Sequence, residues 1–414
     1  MFRFIILPWI CLVTSCARPL DIILKDAGPI VERVLASPEE YEIQIVYVQV
    51  HRDKSNQPHF KEYRLREDPE QYFYPASTVK LPVAVLALEK LHEFNIAGLD
   101  RNTRMRIDSV RAPQTALLID STSESGFPSI GHLIHQIFLV SDNNAHNRLY
   151  EFMGQDELHA QLREHGLRKT RILHRLSAPQ FSPQDNRYTN PFSFYQADTL
   201  IFQQPERVAT EYKDDVSITN QQKGIGYLDG NENLIKQPFD FSKRNFYPLN
   251  EQIQVLKAIM FPQSLPEEAQ FCLRPEDYSF LQKEMSLLPR ESRYPVYDTA
   301  VYYDSYGKFF LFGDSKEVIP SHIRIFNKVG WAYGYMTDCA YIVDFENGVE
   351  FILAATILVN EDQIFNDEHY EFETVGLPFL AELGRAVYHY ELQRPRKYKP
   401  DLSKLQILFP GNVN

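Results

Sequence analysis

The sequence predicts an α/β (α+β) fold: one antiparallel sheet built from both chain ends and flanked by helices, with a helical subdomain inserted between them. Three observations predict it. Near the N-terminus, Tyr41–Val50 alternates and is rich in β-branched residues, and His59–Leu65 reads as its hairpin partner. In the C-terminal third, Ile323–Gly330, Cys339–Phe345 and Val349–Ile357 read as a meander, with Asn347-Gly348 as the turn between the last two. Between these ends, the stretch from about 95 to 203 is mostly helical in its apolar periodicity.

Composition narrows the chemistry. The chain has 414 residues, 44% of them apolar and 24% charged, which is ordinary for a globular protein with a sizeable core. A net charge of -12 and the lack of any Lys/Arg block argue against a nucleic-acid partner. A small-molecule partner suits it better.

Taken in order, residues 1–16 hold one positive charge, a short apolar run and then small residues, the pattern of a signal peptide too short to span a membrane stably. Val13-Thr14-Ser15-Cys16 resembles the bacterial lipoprotein box, which implies lipidation of Cys16 and a lipid-anchored place in the cell envelope, periplasmic or surface-exposed. Simple secretion is the alternative. One catalytic domain is then expected over 20–394, opening with a helix from Leu20 to Ala36 and the first hairpin.

The centre of that domain is Tyr74-Pro75-Ala76-Ser77-Thr78-Val79-Lys80-Leu81-Pro82. It opens a helix, because Pro75 disfavours helix just before it and an apolar run from Val83 carries the segment on. Ser77 and Lys80 are three apart, so both face one side, with Cβ atoms about 5–6 Å apart. A serine hydroxyl needs a base to become a nucleophile, and a lysine sunk in an apolar wall can serve. Downstream, an apolar helix from Ile130 to Val140 breaks at Ser141-Asp142-Asn143, and a second helix follows to Met153. Asp142 is placed to cap that second helix, which leaves Ser141 and Asn143 to point into a cleft.

Leu176–Tyr195 reads as a long ordered loop rich in Pro, Ser and Asn. The stretch from 204 to 320, with a hairpin at Asp229-Gly230-Asn231 and helices at Glu251–Met260 and Pro275–Leu288, reads as an accessory insertion beside the cleft. After the meander, a helix from Leu377 to Tyr390 closes the fold, and the tail 395–414 is expected on the surface.

The third stretch of note is Asn327-Lys328-Val329-Gly330-Trp331. Together with Ser77-x-x-Lys80 and Ser141-Asp142-Asn143, in that order, it resembles the S-x-x-K, S-D-N and K-T-G boxes of class A β-lactamases and penicillin-binding proteins. That resemblance implies a serine hydrolase acting on a small-molecule or peptidoglycan-derived amide substrate. Ser77 attacks a carbonyl, Lys80 takes its proton directly or through Ser141, and Ser141 relays a proton to the leaving nitrogen. Asn143 holds Lys80 and the substrate amide, Lys328 of the Lys328-Val329-Gly330 box attracts a substrate carboxylate, and the backbone N–H groups of Ser77 and Trp331 form the oxyanion hole.

Two departures bear on substrate. Val329 stands where the family has Thr or Ser and cannot hydrogen-bond a carboxylate, unless Arg324 or another residue substitutes. In the family the loop at Leu176–Tyr195 carries a deacylating glutamate, and no Glu occurs between Glu164 and Glu206. Asp185 is that loop's only carboxylate. A peptidoglycan D,D-peptidase, another amide or ester hydrolase, and a non-catalytic binding protein that keeps the fold are therefore the competing readings. The aromatics Trp331, Tyr333 and Tyr335 either line the cleft or form a cluster at the strand edge.

Other chemistries find little support. His132 and His135 share a helix face but have no third ligand in view, so core or surface histidines are expected. H-E-x-x-H, P-loop and dinucleotide fingerprints are missing, and no cofactor is implied. Cys272 and Cys339 stand in no metal-like spacing, and either a disulfide or two free thiols fits them.

Overall fold

The computed structural model describes residues 18–210, 212 and 216–409. The expected signal segment and Cys16 lie outside the described residues.

Two short helices open the described chain, α1 (Pro19–Lys25) and α2 (Pro29–Ala36), where one continuous helix was expected. Gly28 separates them at φ 129°, a conformation open to glycine, and Pro29 starts the second with its φ already helical. The hairpin follows as β1 (Gln44–Arg52) and β2 (Pro58–Leu65). Far along the chain, β3 (Ile323–Ala332), β4 (Tyr335–Asp344) and β5 (Val349–Leu358) form the expected meander.

These strands make one five-stranded sheet in the order β3-β4-β5-β1-β2, every pair antiparallel. Val46 of β1 pairs with Ala354 of β5, so the two chain ends meet at mid-sheet and β3 is left at an edge. Both faces are covered. Phe326, Tyr341, Ile352 and Val46 pack on one side, while Ile325, Val329, Phe351 and Leu353 pack on the other with Phe379 and Leu383. The period of two along a strand produces that division, and burial on both faces explains why these strands read as near-continuous apolar runs.

The first face is covered by α3 (Lys80–Glu93), α4 (Ile130–Val140), α5 (Asn143–Met153) and α6 (Gln155–Glu164), together with α7 (Leu249–Met260) and α8 (Pro275–Ser286). Every residue of α3 from Lys80 to Leu91 is buried, the mark of a helix at the centre of a domain. The other face is covered by α1, α2 and α9 (Leu377–Gln393).

Within the stretch 204–320, α7 and α8 place Ile253, Leu256, Leu281 and Met285 in the same core as Val46 and Phe326. Residues 219–246 differ. They form small strand pairs, Gln222–Lys223 with Phe239–Asp240 and Gly226–Leu228 with Leu234–Ile235, and the first pair delivers Phe239 and Phe241 to the aromatic residues near Ser77. The tail is also more engaged than expected. Leu402 and Phe409 are buried in the main core, and the Arg324 guanidinium lies 4.1 Å from the centre of the Phe409 ring, so the tail packs back against β3. Cys272 is exposed, Cys339 is buried, and the two thiols are free. Among the described residues, no helix is long and apolar enough to cross a membrane.

Candidate active site

Ser77 sits in a tight turn, not in α3 itself. Ala76–Val79 forms one 3₁₀ turn, and the α-helix begins at Lys80. Thr78 closes the turn by donating from its N–H (3.0 Å) and its Oγ1 (2.8 Å) to the carbonyl of Pro75. Ala76 is held at φ 46°, a left-handed conformation that costs a non-glycine residue about 1–3 kcal/mol and is found mainly where the surrounding structure enforces it. The turn leaves Ser77 half-buried between buried neighbours, and among the described residues its hydroxyl has no hydrogen-bond partner.

Lys80 is fully buried beneath it and points at the second box. Its Nζ lies 2.5 Å from the carbonyl oxygen of Ser141, 2.7 Å from Asn143 Oδ1 and 3.2 Å from Ser141 Oγ. Ser141 ends α4 at φ 55°, while Asp142 caps α5 by accepting from the Ala145 N–H at 2.7 Å. These two local devices aim Ser141 and Asn143 inward. Lys328 approaches from β3 and donates to Ser141 Oγ at 2.8 Å, so one hydroxyl lies between two buried lysines.

The pairing is electrostatically unfavourable for two ammonium groups. Burial holds the Lys80 pKa well below the ordinary lysine value, and the charge of Lys328 lowers it further against a weak opposing pull from Asp142. Lys328 is itself brought down to about 7, by burial first and by Lys308 second. Sequence reasoning missed Lys308 and Asp338. Lys308 Nζ donates to Asn327 Oδ1 (2.7 Å), and Asn327 Nδ2 donates to Asp338 Oδ1 (2.8 Å), giving a buried polar group behind the third box. Burial raises Asp338 to about 6 despite its donors. For Asp338, an acid in the middle of the apolar run of β4 was the available signal.

Gly330 brings β3 against the Ser77 turn. A Cβ at this position would lie 2.5 Å from the Pro75 carbonyl oxygen, 2.8 Å from the Ser77 nitrogen and 2.9 Å from the Thr78 nitrogen, so only glycine fits. The neighbouring side chains turn away. Val329 is 1% exposed within the apolar cluster on the opposite face of the sheet, and the Trp331 ring packs on Tyr306 and Phe309. What Trp331 can offer Ser77 is therefore its backbone. Arg324 is bound to Glu291 at 2.7 and 2.8 Å and does not reach the cleft. Tyr335 is buried and donates to Glu42, whereas Tyr333 meets Tyr74 edge-on at 5.0 Å.

The loop after Arg175 is pinned by Asn147, which donates to the Leu176 carbonyl at 3.0 Å and accepts from its N–H at 2.8 Å. Asn143 Nδ2 reaches Ser177 Oγ at 2.9 Å. Asp185 is occupied elsewhere, accepting from the N–H and hydroxyl of Ser182, and these hydrogen bonds hold it below the usual carboxylate range. Among the described residues, that loop brings no carboxylate into contact with Ser77, Lys80 or Ser141.

Residues 31–203 match the model of the β-lactamase enzyme family. The matched span contains Ser77, Lys80, Ser141 and Asn143 and ends before Lys328. The chain resembles the β-lactamase and penicillin-binding-protein superfamily, as its three boxes led us to expect. No curated protein matches the chain. Similar solved structures include a β-lactamase from Sphaerobacter thermophilus, 12% identical, with 91% of this chain and 98% of that one covered at a TM-score of 0.46. Others are PBP-A, 15% identical over 90% and 96% at 0.46, and a β-lactamase from Xanthomonas campestris, 14% identical over 90% and 98% at 0.46. At such scores these likenesses add nothing to what the topology already shows.

Two further histidines lie in the matched span, and the nearer, His146, feels the charges of Lys80 and Lys328. His146 is fully buried, its ring nitrogens lack hydrogen-bond partners among the described residues, and burial holds its pKa well below the ordinary value. His174 stacks on Tyr74 and is lowered to about 4 by burial. His132 and His135 stack on each other at 6.0 Å and bond to Thr122, Glu284 and Ser292. The metal-type cluster Asp362, Asp367 and His369 lies on the loop after β5, not around Ser77.

Proposed function

We propose that the protein is a serine hydrolase that opens an amide bond, in a β-lactam or a related compound, through an acyl-enzyme on Ser77. One observation carries this reading: Lys80, buried among neutral acceptors, lies one turn from a half-exposed serine hydroxyl that has no partner among the described residues. In its neutral form Lys80 takes the proton of Ser77, directly or through Ser141, as the hydroxyl oxygen attacks the carbonyl carbon. The developing oxyanion is met by the backbone N–H groups of Ser77 and Trp331. The carbon–nitrogen bond then breaks, and the hydroxyl of Ser141 protonates the leaving nitrogen, with Lys328 held against that hydroxyl. Lys328 also attracts the substrate carboxylate, and Asn143 orients the substrate amide.

Hydrolysis of the ester needs a base aimed at water, and the loop from Leu176 offers no carboxylate there. This favours a peptidoglycan D,D-peptidase-like or other slow-turnover amide hydrolase over an efficient β-lactamase. After mixing with a penicillin, intact-protein mass spectrometry should show an adduct that persists for minutes, and Ser77→Ala should remove it. Labelling that survives Ser77→Ala would sink the nucleophile assignment; rapid multiple turnover without an adduct would sink the slow-hydrolysis reading.

The sequence of residues 1–16 supports a place in the bacterial envelope, anchored through lipidated Cys16. Protein from native cells should partition into detergent and start at a modified Cys16. An unmodified N-terminus beyond Ala17 would rule the anchor out.

A further inference from the structure

Several half-buried or buried arginines of this protein have an acid: Arg52 has Glu350, Arg175 has Glu151, and Arg385 has Asp314. Arg244 does not. Its guanidinium lies 5.9 Å from the centre of the Tyr333 ring and 5.7 Å from that of Phe239, and among the described residues no carboxylate or other acceptor reaches its side chain. Its backbone is nonetheless fixed, since its N–H donates to Phe241 (2.9 Å) and its carbonyl accepts from Arg171 Nε (3.1 Å). The result is an anchored residue with an uncommitted, planar cation resting on an aromatic shelf.

That shelf leads to the nucleophile. Tyr333 follows Gly330 by three residues, in the turn that ends β3, and packs edge-on at 5.0 Å against Tyr74, which precedes Ser77 by three. The charge of Arg244 is felt at both Tyr74 and His174. Two cations therefore stand at this edge: Lys328, two residues before Gly330 in β3, and Arg244, against Tyr333 three residues after it.

We propose that Arg244 binds an anionic group, a carboxylate by preference, on the acyl portion of the substrate. The assignment of sides rests on the function proposed above: Ser141 and Lys328 serve the leaving nitrogen, so the acyl portion extends the other way, toward Tyr333. A guanidinium fork matches a carboxylate in two parallel hydrogen bonds, and stacking on the rings orders it before the substrate arrives.

Two probes with one nucleus separate the possibilities: benzylpenicillin, and its analogue with a carboxylate on the benzyl carbon. Rates of Ser77 acylation are read by mass spectrometry, and equilibrium binding to Ser77→Ala protein by calorimetry, which needs no chemistry. The carboxylated probe should be preferred about tenfold in either measure, Arg244→Gln should bring the ratio near one, and Arg244→Lys should keep part of it. Lys243→Gln, an exposed charge next door, should leave the ratio intact. A ratio near one in the unaltered protein, or one that survives Arg244→Gln, overturns the proposal. If neither probe acylates but Ser77→Ala protein keeps an Arg244-dependent preference, the hydrolase reading fails and the anion site stands. If neither probe acylates or binds, both fail.

Discussion

Lys80 and Lys90 stand on the same helix, 0% and 2% exposed, and among the described residues Lys90 alone of the two has a carboxylate in contact. Lys90 donates to Glu157 at 2.7 Å and to the Phe152 carbonyl at 2.8 Å, with the Phe152 ring beneath it. It falls only to about 8, because Glu157 offsets part of the effect of burial and of Arg207. Lys80 meets a carbonyl, an amide oxygen and a hydroxyl, all neutral, and a second lysine beyond them. Residue type, helix and burial are shared, so the neighbours decide. A carboxylate in contact keeps a buried ammonium charged, and without one burial makes the proton easier to lose.

The largest effect should separate these two lysines. Lys80→Ala should slow acylation by a penicillin about 10²–10⁴-fold, the usual worth of a general base, while Lys90→Met should change it little. Stopped-flow labelling would check this, and equal losses at both positions would break the comparison. Gly330→Ala comes next. Its Cβ would strike backbone atoms that cannot yield, displacing the Ser77 N–H, and the expected loss is about 10²–10³-fold. Gly230→Ala, with nothing within 4 Å of the added carbon, should have no effect on the same assay.

The pH profile of acylation should sharpen the contrast further. In the proposed reaction Lys80 acts unprotonated, so the rate should fall as pH drops through its lowered pKa. In the same proposal Lys328 attracts the substrate carboxylate only when protonated, so a second decline should set in as pH rises past about 7. Loss of the acidic limb in Lys80→Ala, with its retention in Lys90→Met, is the outcome to look for. A profile without an acidic limb would remove Lys80 as the base.

Stability should show the smallest effects. The Lys328 pKa is about 7 in the folded protein against an ordinary 10.5, so between these values the unfolded chain binds more protons and stability rises with pH. At and below neutrality the full penalty is present. Lys328→Met should therefore stabilise the fold by roughly 0.5–2 kcal/mol in urea titrations at neutral pH, with less gain under alkaline conditions. Lys90→Met should lie within about 1 kcal/mol of the parent, because Glu157 keeps Arg207 at 2.5 Å as its partner. A larger loss there than gain at Lys328 would mean that pairing, not burial, dominates both sites.

Local patterns made much of this legible. The hairpin, the meander with its Asn347-Gly348 turn, α4, α5, α7, α8 and α9 follow from periodicity and turn residues that act within a few positions. The Ser77–Lys80 spacing and the break at Ser141-Asp142-Asn143 are likewise local, as one turn of helix and one cap. The split at Gly28 was missed although the glycine and proline that cause it are adjacent in the sequence. Val329 was weighed as a cleft residue, yet its strand phase relative to Lys328 turns it to the opposite face.

By itself, then, the sequence determined the strands of the main sheet, most of its covering helices and the three boxes, because those depend on spacing within single segments. It missed the small antiparallel sheet of Arg104–Ile107, Phe192–Gln196 and Thr199–Gln204, which lies inside the stretch expected to be helical and takes the end of the loop expected over 176–195, because its first two strands pair across some 90 residues. Only the tertiary structure decided which charges share a site. Ser141 lies between two lysines from opposite ends of the chain, Lys308 and Asp338 stand behind Asn327, and Arg244 meets Tyr333 from a hairpin that the motifs do not include. The physical reason is that a pKa, a counter-charge or an uncommitted guanidinium depends on everything within a few ångströms, and that neighbourhood exists only once distant segments have packed.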